Sequence, residues 1–89
     1  MNIPELESML GHYLNEQIAA VEDAIAKKDD IKVKQIGHKL KGNSGSIALG
    51  KPEINEFGKE IELSSTDFEK VKGLLVQLTL SAKSFLKES

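Results

Sequence analysis

Residues 38–42 read His-Lys-Leu-Lys-Gly and set a histidine among lysines. Histidine can act as a nucleophile through one ring nitrogen. Lys41 follows it by three residues, so on a helix the ammonium group lies one turn away on the same side. Residues 27–41 carry six lysines against two aspartates, whereas the whole chain has a net charge of −2. This pattern indicates that His38 handles an anion, such as a phosphoryl group.

Two glycines share the helical face of His38, namely Gly42 and Gly45. A glycine inside a helix costs about 1 kcal/mol relative to alanine. Their presence on an exposed face therefore predicts that the imidazole must stand clear so that another protein can approach. Gly37 lies nearer the apolar side of the same helix, where a close helix crossing explains it better. We predict that the approaching partner contacts three positions: Lys34, Lys39 and Gly45.

A nucleophilic histidine works best when its second ring nitrogen donates to a fixed acceptor, which holds the tautomer and orients the ring. Glu60 and Glu62, on the predicted neighbouring helix, are the candidates. Glu62 shares a helical face with Asn55 and Gly58 at the rim of the apolar stripe. Spacing alone does not choose between the two glutamates.

Two other patterns suggest different chemistry. Residues 45–51 match the first seven places of a phosphate-binding loop, G-x-x-x-x-G-K-[ST], but the eighth place is Pro52, which has no hydroxyl for magnesium. The preceding residues are helical in pattern, whereas that loop follows a strand. His12 and Glu16 are four residues apart and could share a metal ion, but two ligands are too few for a zinc site. We therefore predict no metal and no cofactor in this chain.

Bulk properties limit the function further. The chain has 89 residues, which suits one small domain over residues 1–89, and it contains no cysteine. No apolar run is long enough to span a bilayer, and no signal region is visible. The acidic balance argues against nucleic-acid binding. We expect a cytoplasmic monomer without membrane contact.

Apolar residues recur with helical spacing along nearly the whole chain. The pattern predicts long helices over about residues 12–28 and 30–48, a third beginning at Pro52, and a last one capped by Thr66 and Glu69. A short helical segment with Leu6 and Leu10 precedes them and ends or kinks at Gly11. The predicted apolar stripes are Leu14, Ile18, Val21 and Ile25; Val33, Ile36, Leu40 and Ile47; Ile54, Phe57 and Ile61; and Val71, Leu75, Leu78, Ala82 and Phe85. We predict an all-α fold, an antiparallel up-down-up-down four-helix bundle with a short extra N-terminal helical segment.

The run from His38 to Ile47 resembles the signature of histidine-containing phosphotransfer (HPt) domains, which act in two-component phosphorelays. That signature has lysine three residues and glycine four residues after the histidine, then small residues and an apolar one. A helix follows with apolar, small and acidic positions, matched here by Ile54, Phe57, Gly58, Ile61 and Glu62. The resemblance extends from the helix around Leu14 to the last helix.

The resemblance implies that His38 accepts a phosphoryl group from an aspartyl phosphate on a receiver domain and passes it to another receiver. Lys41 would hold the phosphoryl oxygens, and Gly42 would leave room for them. The imidazole-orienting position falls on Glu62 when the apolar stripe is aligned. Family members usually have a turn about two residues shorter than residues 49–53, and counting from His38 without that insertion would select Glu60 instead. We prefer Glu62, because Phe57, Gly58 and Ile61 fix the register of the helix, and we keep Glu60 as the second choice. The partners would be receiver domains of response regulators or of a hybrid sensor kinase, which would carry the Mg²⁺.

Two other functions are compatible with these residues. One is a helical adaptor that docks a partner without moving phosphate, against which His38, Lys41 and Gly42 together argue. The other is the phosphoacceptor domain of a chemotaxis-type histidine kinase, in which a separate domain binds ATP. Glutamate rather than glutamine at position 62 is compatible with this phosphoacceptor domain. Docking of a receiver should also use apolar residues near the histidine, for which Leu10, Tyr13 and Ile31 are candidates.

Overall fold

The computed structural model describes residues 3–86. Within that range the secondary-structure elements are all helices, joined by short turns. The five helices are α1 (Ile3–Ala26), α2 (Asp30–Lys41), α3 (Ser44–Ala48), α4 (Pro52–Leu63) and α5 (Phe68–Phe85). The predicted all-α class is therefore confirmed. The most extensive packing joins α2 to α4 and α1 to α5.

A single apolar core joins the four longer helices. The predicted stripes of α1 and α5 are buried completely, and so are most of those of α2 and α4; the core consists of Leu10, Leu14, Ile18, Val21, Ala24, Ile25, Val33, Ile36, Leu40, Ile54, Ile61, Val71, Leu75, Leu78, Ala82 and Phe85. Phe57 is partly buried and packs against this core. Helical spacing places these side chains on one face of each helix, so burying that face removes most of the large apolar groups from water.

Local signals define the helix ends. The side chain of Asp29 accepts a hydrogen bond from Lys32 N and caps α2. Pro52 occupies the first turn of α4, where its missing N–H costs nothing. Gly50 ends the preceding turn with a φ of +72°, in the left-handed region that favours glycine.

The cap predicted for the last helix is wrong by one residue. Asp67, not Thr66, is the N-cap of α5, and its side chain accepts from Lys70 N at 3.2 Å. Aspartate and threonine both suit this position, and aspartate is the stronger cap. The Thr66–Glu69 spacing matches a capping box but lies one residue before the observed start.

The N-terminal segment is not separate, because α1 runs without interruption from Ile3 through Gly11 to Ala26. Gly11 is buried, and a Cβ atom built on it would lie 2.6 Å from Leu86 Cγ. The glycine therefore allows the chain after α5 to pack closely against α1. It does not break or separate the helix.

The predicted helix over residues 30–48 is two helices, with Gly42 as the C-cap of α2 and Asn43 as the N-cap of α3. The Asn43 side chain accepts from Ser46 N at 2.8 Å, so it starts a new helix. Because of this break, residues 44–48 do not continue the apolar face of α2. Ile47, which we assigned to the core stripe, is consequently 62% exposed, whereas Ser46 is fully buried.

Candidate functional site around His38

The site is built on a close crossing of α2 and α4. Gly37 and Gly58 are both buried where the two helices meet. A Cβ atom on Gly37 would lie 2.6 Å from Glu62 N, and one on Gly58 would lie 2.6 Å from Leu40 Cβ. Neither position has room for a side chain. The crossing explanation given for Gly37 from sequence is therefore confirmed, and Gly58 supplies the matching surface on α4.

This crossing brings Glu62 to His38. The His38 side chain is 67% exposed, and its Nδ1 lies 2.9 Å from Glu62 Oε2. An ionised carboxylate can only accept, so this hydrogen bond requires the ring hydrogen on Nδ1. In a neutral imidazole with that tautomer, Nε2 carries the free lone pair. This contact therefore leaves Nε2 as the ring nitrogen whose lone pair is available for a bond with another molecule.

The same carboxylate also pairs with Lys41. Lys41 Nζ lies 2.9 Å from Glu62 Oε1, and only 17% of the Glu62 side chain is exposed. The hydrogen bond from Lys41 is the main reason that the pKa of Glu62 lies below its ordinary value, and the bond and charge of His38 lower it further. Partial desolvation opposes these effects. Glu62 therefore stays ionised near neutral pH and holds both α2 side chains.

Glu60, the alternative partner, lies elsewhere. Its Oε2 is 3.6 Å from Lys70 Nζ on α5. Of the two glutamates left open by spacing, the structure brings Glu62 to His38, and Glu60 pairs with the last helix.

The two glycines after His38 differ in their surroundings. A Cβ on Gly42 would make only ordinary contacts, 3.7 Å from His38 O and 3.9 Å from Lys39 O, and its φ of −92° suits any residue. Neither packing nor backbone conformation requires glycine at position 42. A Cβ on Gly45 would come 3.3 Å from Asn43 Oδ1, which is tight but adjustable. The absence of a side chain at Gly42 leaves open space next to the last turn of α2.

A cleft of about 400 Å³ surrounds the imidazole and is lined by Lys34, Gln35, His38, Lys39 and Glu62. Lys34 and Lys39, two of the predicted partner contacts, therefore border the histidine. Gln35 was not singled out from sequence, although it lies one turn before His38 on the same helix face. The cleft is open and positively charged on its α2 side.

Gly45, the third predicted partner contact, lines a different cleft. This apolar cleft, of about 210 Å³, lies between α1 and α3 and is lined by Leu6, Met9, Leu10, Tyr13, Asn43, Gly45, Ala48 and Leu49. Two of the candidate docking residues, Leu10 and Tyr13, are among them. Ile31, the third, is 67% exposed near the start of α2.

Asn55 links α4 to the end of α2, a role that the sequence did not indicate; there, Asn55 was noted only for sharing a helical face with Glu62. Its Nδ2 donates to Lys41 O at 3.0 Å and to Asn43 O at 2.9 Å, and lies 3.3 Å from Leu40 O. Its Oδ1 accepts from Ser46 Oγ at 2.8 Å. The signal that could have found it is its spacing with Gly58 and Glu62, three and seven residues later, which puts all three on one face of α4.

The two competing patterns have no supporting geometry. Gly45 lies in the short helix α3, and no strand precedes it in the described part of the chain, so residues 45–51 do not form a phosphate-binding loop. His12 and Glu16 are both exposed on α1. Within residues 3–86, no three histidine or carboxylate side chains are grouped closely enough to hold a metal ion.

No family model matches the chain, and no curated protein or solved structure matches it. None of the helices within residues 3–86 has both the length and the apolar composition needed to cross a membrane.

Proposed function

We propose that this chain is a histidine phosphotransfer module of a two-component phosphorelay. His38 accepts a phosphoryl group from an aspartyl phosphate on a receiver domain and relays it to a second receiver. The observation that carries the proposal is the carboxylate of Glu62, which bonds His38 Nδ1 at 2.9 Å and Lys41 Nζ at 2.9 Å. This arrangement leaves Nε2 of a largely exposed imidazole available to a phosphoryl group, with the ammonium group of Lys41 held by the same carboxylate.

The transfer step follows from these contacts. Nε2 of His38 attacks the phosphorus, the bond between phosphorus and the aspartyl oxygen breaks, and the aspartate leaves as a carboxylate. Glu62 accepts the Nδ1 hydrogen bond and stabilises the positive charge that develops on the ring. Lys41, whose ammonium group has three N–H donors, can keep Glu62 and also face a phosphoryl oxygen. Phosphoryl transfer needs positioning and charge neutralisation more than covalent machinery, so few groups suffice.

The surroundings of His38 suit docking of another domain. Lys34 and Lys39 border the imidazole and attract an acidic surface, such as the carboxylate cluster in which a receiver holds its aspartate and Mg²⁺. Gly42 leaves space that no packing requirement explains. In this proposal the chain is a carrier and not an enzyme, it is a cytoplasmic monomer, and it needs no cofactor of its own.

The proposal includes the bundle topology. Asn55 at the start of α4 bonds the end of α2, whereas Glu62 near the end of α4 bonds His38 one turn earlier. These contacts support an antiparallel α2–α4 pair. Short connections between the remaining helices favour an up-down-up-down four-helix bundle.

The test is a transfer assay with a purified receiver. A receiver domain is charged with a small acyl phosphate and Mg²⁺, the donor is removed, and the chain is added. We expect label on the chain that survives base and is lost in acid, as a phosphohistidine does. His38→Gln should carry no label, whereas His12→Gln should be labelled like the wild type. Label that persists on His38→Gln would refute His38 as the acceptor.

The outcome also separates the other functions. A chain that binds a receiver tightly but never takes up label would be a docking adaptor. A chain that is labelled only from ATP by a separate kinase domain, and from no receiver, would be the phosphoacceptor of a chemotaxis-type kinase.

A further inference from the structure

The side-chain amide of Asn55 joins α4 to the end of α2. The last carbonyl groups of a helix have no partner within that helix. Here Asn55 Nδ2 lies 3.3 Å from Leu40 O, 3.0 Å from Lys41 O and 2.9 Å from Asn43 O. One side chain from α4 therefore caps the end of α2 and also bonds Asn43, the N-cap of α3.

The orientation of this amide is determined by its surroundings. Three carbonyl oxygens face Nδ2, and carbonyls can only accept, so the NH₂ end must point toward α2. On the other side, Ser46 Oγ lies 2.8 Å from Asn55 Oδ1, and Ser46 is fully buried. An aspartate at this position would have the same shape but would set an oxygen against three carbonyls. The site is therefore specific for an amide.

Asn55 lies on the same face of α4 as Gly58 and Glu62. Gly58 sets how close α2 and α4 approach, because any side chain there would meet Leu40. Glu62 holds His38 and Lys41. Asn55 fixes where α2 ends and how far α2 can slide along α4. The distance from Lys41 Nζ to Glu62 Oε1 depends on how closely α2 and α4 approach and on the position of the end of α2 along α4.

We infer that Asn55 is a positioning residue for the phosphoryl-accepting site, acting on His38 and Lys41 through the end of α2. The inference rests on the proposed function for its catalytic consequence. When the amide cap is lost, the last turn of α2 is free to unwind toward Gly42, and Lys41 leaves Glu62. The carboxylate then no longer holds the Nδ1–H tautomer of His38, and Nε2 loses its fixed direction.

The experiment compares Asn55→Asp and Asn55→Ala with the wild type by two readouts. The first is the ¹⁵N spectrum of the His38 ring, which reports the tautomer without any partner. We expect the Nδ1–H tautomer to dominate in the wild type and to give way to a mixture in both variants, more completely in Asn55→Asp. The second readout is the rate of phosphoryl transfer from a charged receiver. We expect the rate at saturating receiver to fall at least tenfold, and the half-saturating receiver concentration to change less than twofold.

A matched control separates positioning from general stability. Ala24→Gly weakens the buried face of α1, and Ala24 is not among the residues that line the cleft around His38. The Ala24→Gly variant and the Asn55 variants are each measured at the same interval below their own Tm. Ala24→Gly should leave both the His38 tautomer and the transfer rate unchanged. If Asn55→Asp does not fold, Asn55→Ala carries both measurements. Should the Asn55 variants lower only Tm, with the wild-type tautomer and rate retained, Asn55 is structural and the inference is wrong.

The proposed function and this inference fail in different ways. If the wild type takes no label from any receiver, the phosphotransfer function fails, but the ring spectrum still decides whether Asn55 positions His38. If the wild type transfers normally and the Asn55 variants keep both readouts, only the inference fails.

Discussion

Replacing Gly58 by alanine tests the close helix crossing on which the site depends. The added Cβ would lie 2.6 Å from Leu40 Cβ and 2.7 Å from Leu40 C. Carbon atoms in contact are normally separated by about 3.5–4.0 Å, so α4 must move away from α2 by about 1 Å. Such overpacking costs about 1–3 kcal/mol, and the upper end applies here because a backbone atom is among those displaced.

The net effect also includes helix propensity. Alanine is better than glycine inside a helix by about 1 kcal/mol, which offsets part of the strain. We therefore expect Gly58→Ala to lower the free energy of unfolding by about 2 kcal/mol. For a domain of this size, that corresponds to a fall in Tm of about 8–16 °C. Urea and thermal unfolding followed by far-UV circular dichroism measure both quantities.

Gly73 provides the matched control. It lies within α5, it is exposed, and a Cβ built on it would have no atom within 4 Å. Gly73→Ala should therefore raise the free energy of unfolding by about 1 kcal/mol. The reasoning is refuted if Gly58→Ala is as stable as the wild type while Gly73→Ala is stabilised. A second readout is the His38 ring spectrum, which should change only in Gly58→Ala because Glu62 moves with α4.

Two further predictions concern Glu62 and the start of α5. Lys41 holds the pKa of Glu62 below its ordinary value of 4.5, and His38 lowers it further. Ionised Glu62 therefore stabilises the fold above pH 4.5. This stabilisation is lost as the pH falls through the lowered pKa. Urea unfolding across this range should show that Glu62→Gln loses less stability in acid than the wild type does; equal losses would contradict the argument. At α5, Asp67→Ala should cost about 0.5–2 kcal/mol because it removes the bond to Lys70 N. Thr66→Ala, measured in the same urea titration, should have almost no effect on the free energy of unfolding. If Thr66→Ala costs more than Asp67→Ala, the capping box inferred from sequence is right and the Asp67 cap is wrong.

Much of the fold could be predicted because it depends on local periodicity. The stripes of α1 and α5 are strictly helical in spacing, and every residue assigned to them is buried. The break between α2 and α3 could not be predicted from periodicity, since Ile47 continues the apolar spacing of Leu40 and Ile36. The break depends on Asn43 as a cap and on Asn55 from a distant part of the chain. A contact across 12 residues leaves no periodic signal.

The same distinction between local and long-range signals applies to the site. His38, Lys41 and Gly42 lie within one turn of each other, so their shared face could be worked out from the helix geometry alone. Helix geometry alone left Glu62 and Glu60 open, and aligning the apolar stripe of α4 favoured Glu62. In the structure the register of α4 against α2, with close backbone contact at Gly58 and Gly37, brings Glu62 to His38. Gln35 was missed although it lies one turn before His38, and Asn55 was noted only for sharing a face of α4 with Gly58 and Glu62. The role of Asn55 depends on contacts with the end of α2, which the sequence around Asn55 does not show.

We expect an insertion in the turn before α4 to leave the site undisturbed, because the face of α4 that carries Asn55, Gly58 and Glu62 determines its own register against α2. Residues 49–53 lead from the end of α3 into α4 and contain Gly50, which has a left-handed backbone conformation. The register of α4 is determined after that turn, by Gly58 at the crossing and by the amide of Asn55 on the end of α2. An insertion in the turn therefore changes the path of the chain but leaves Glu62 opposite His38. For the same reason, counting residues from the histidine across this turn cannot identify its carboxylate partner, whereas aligning the apolar face of α4 can.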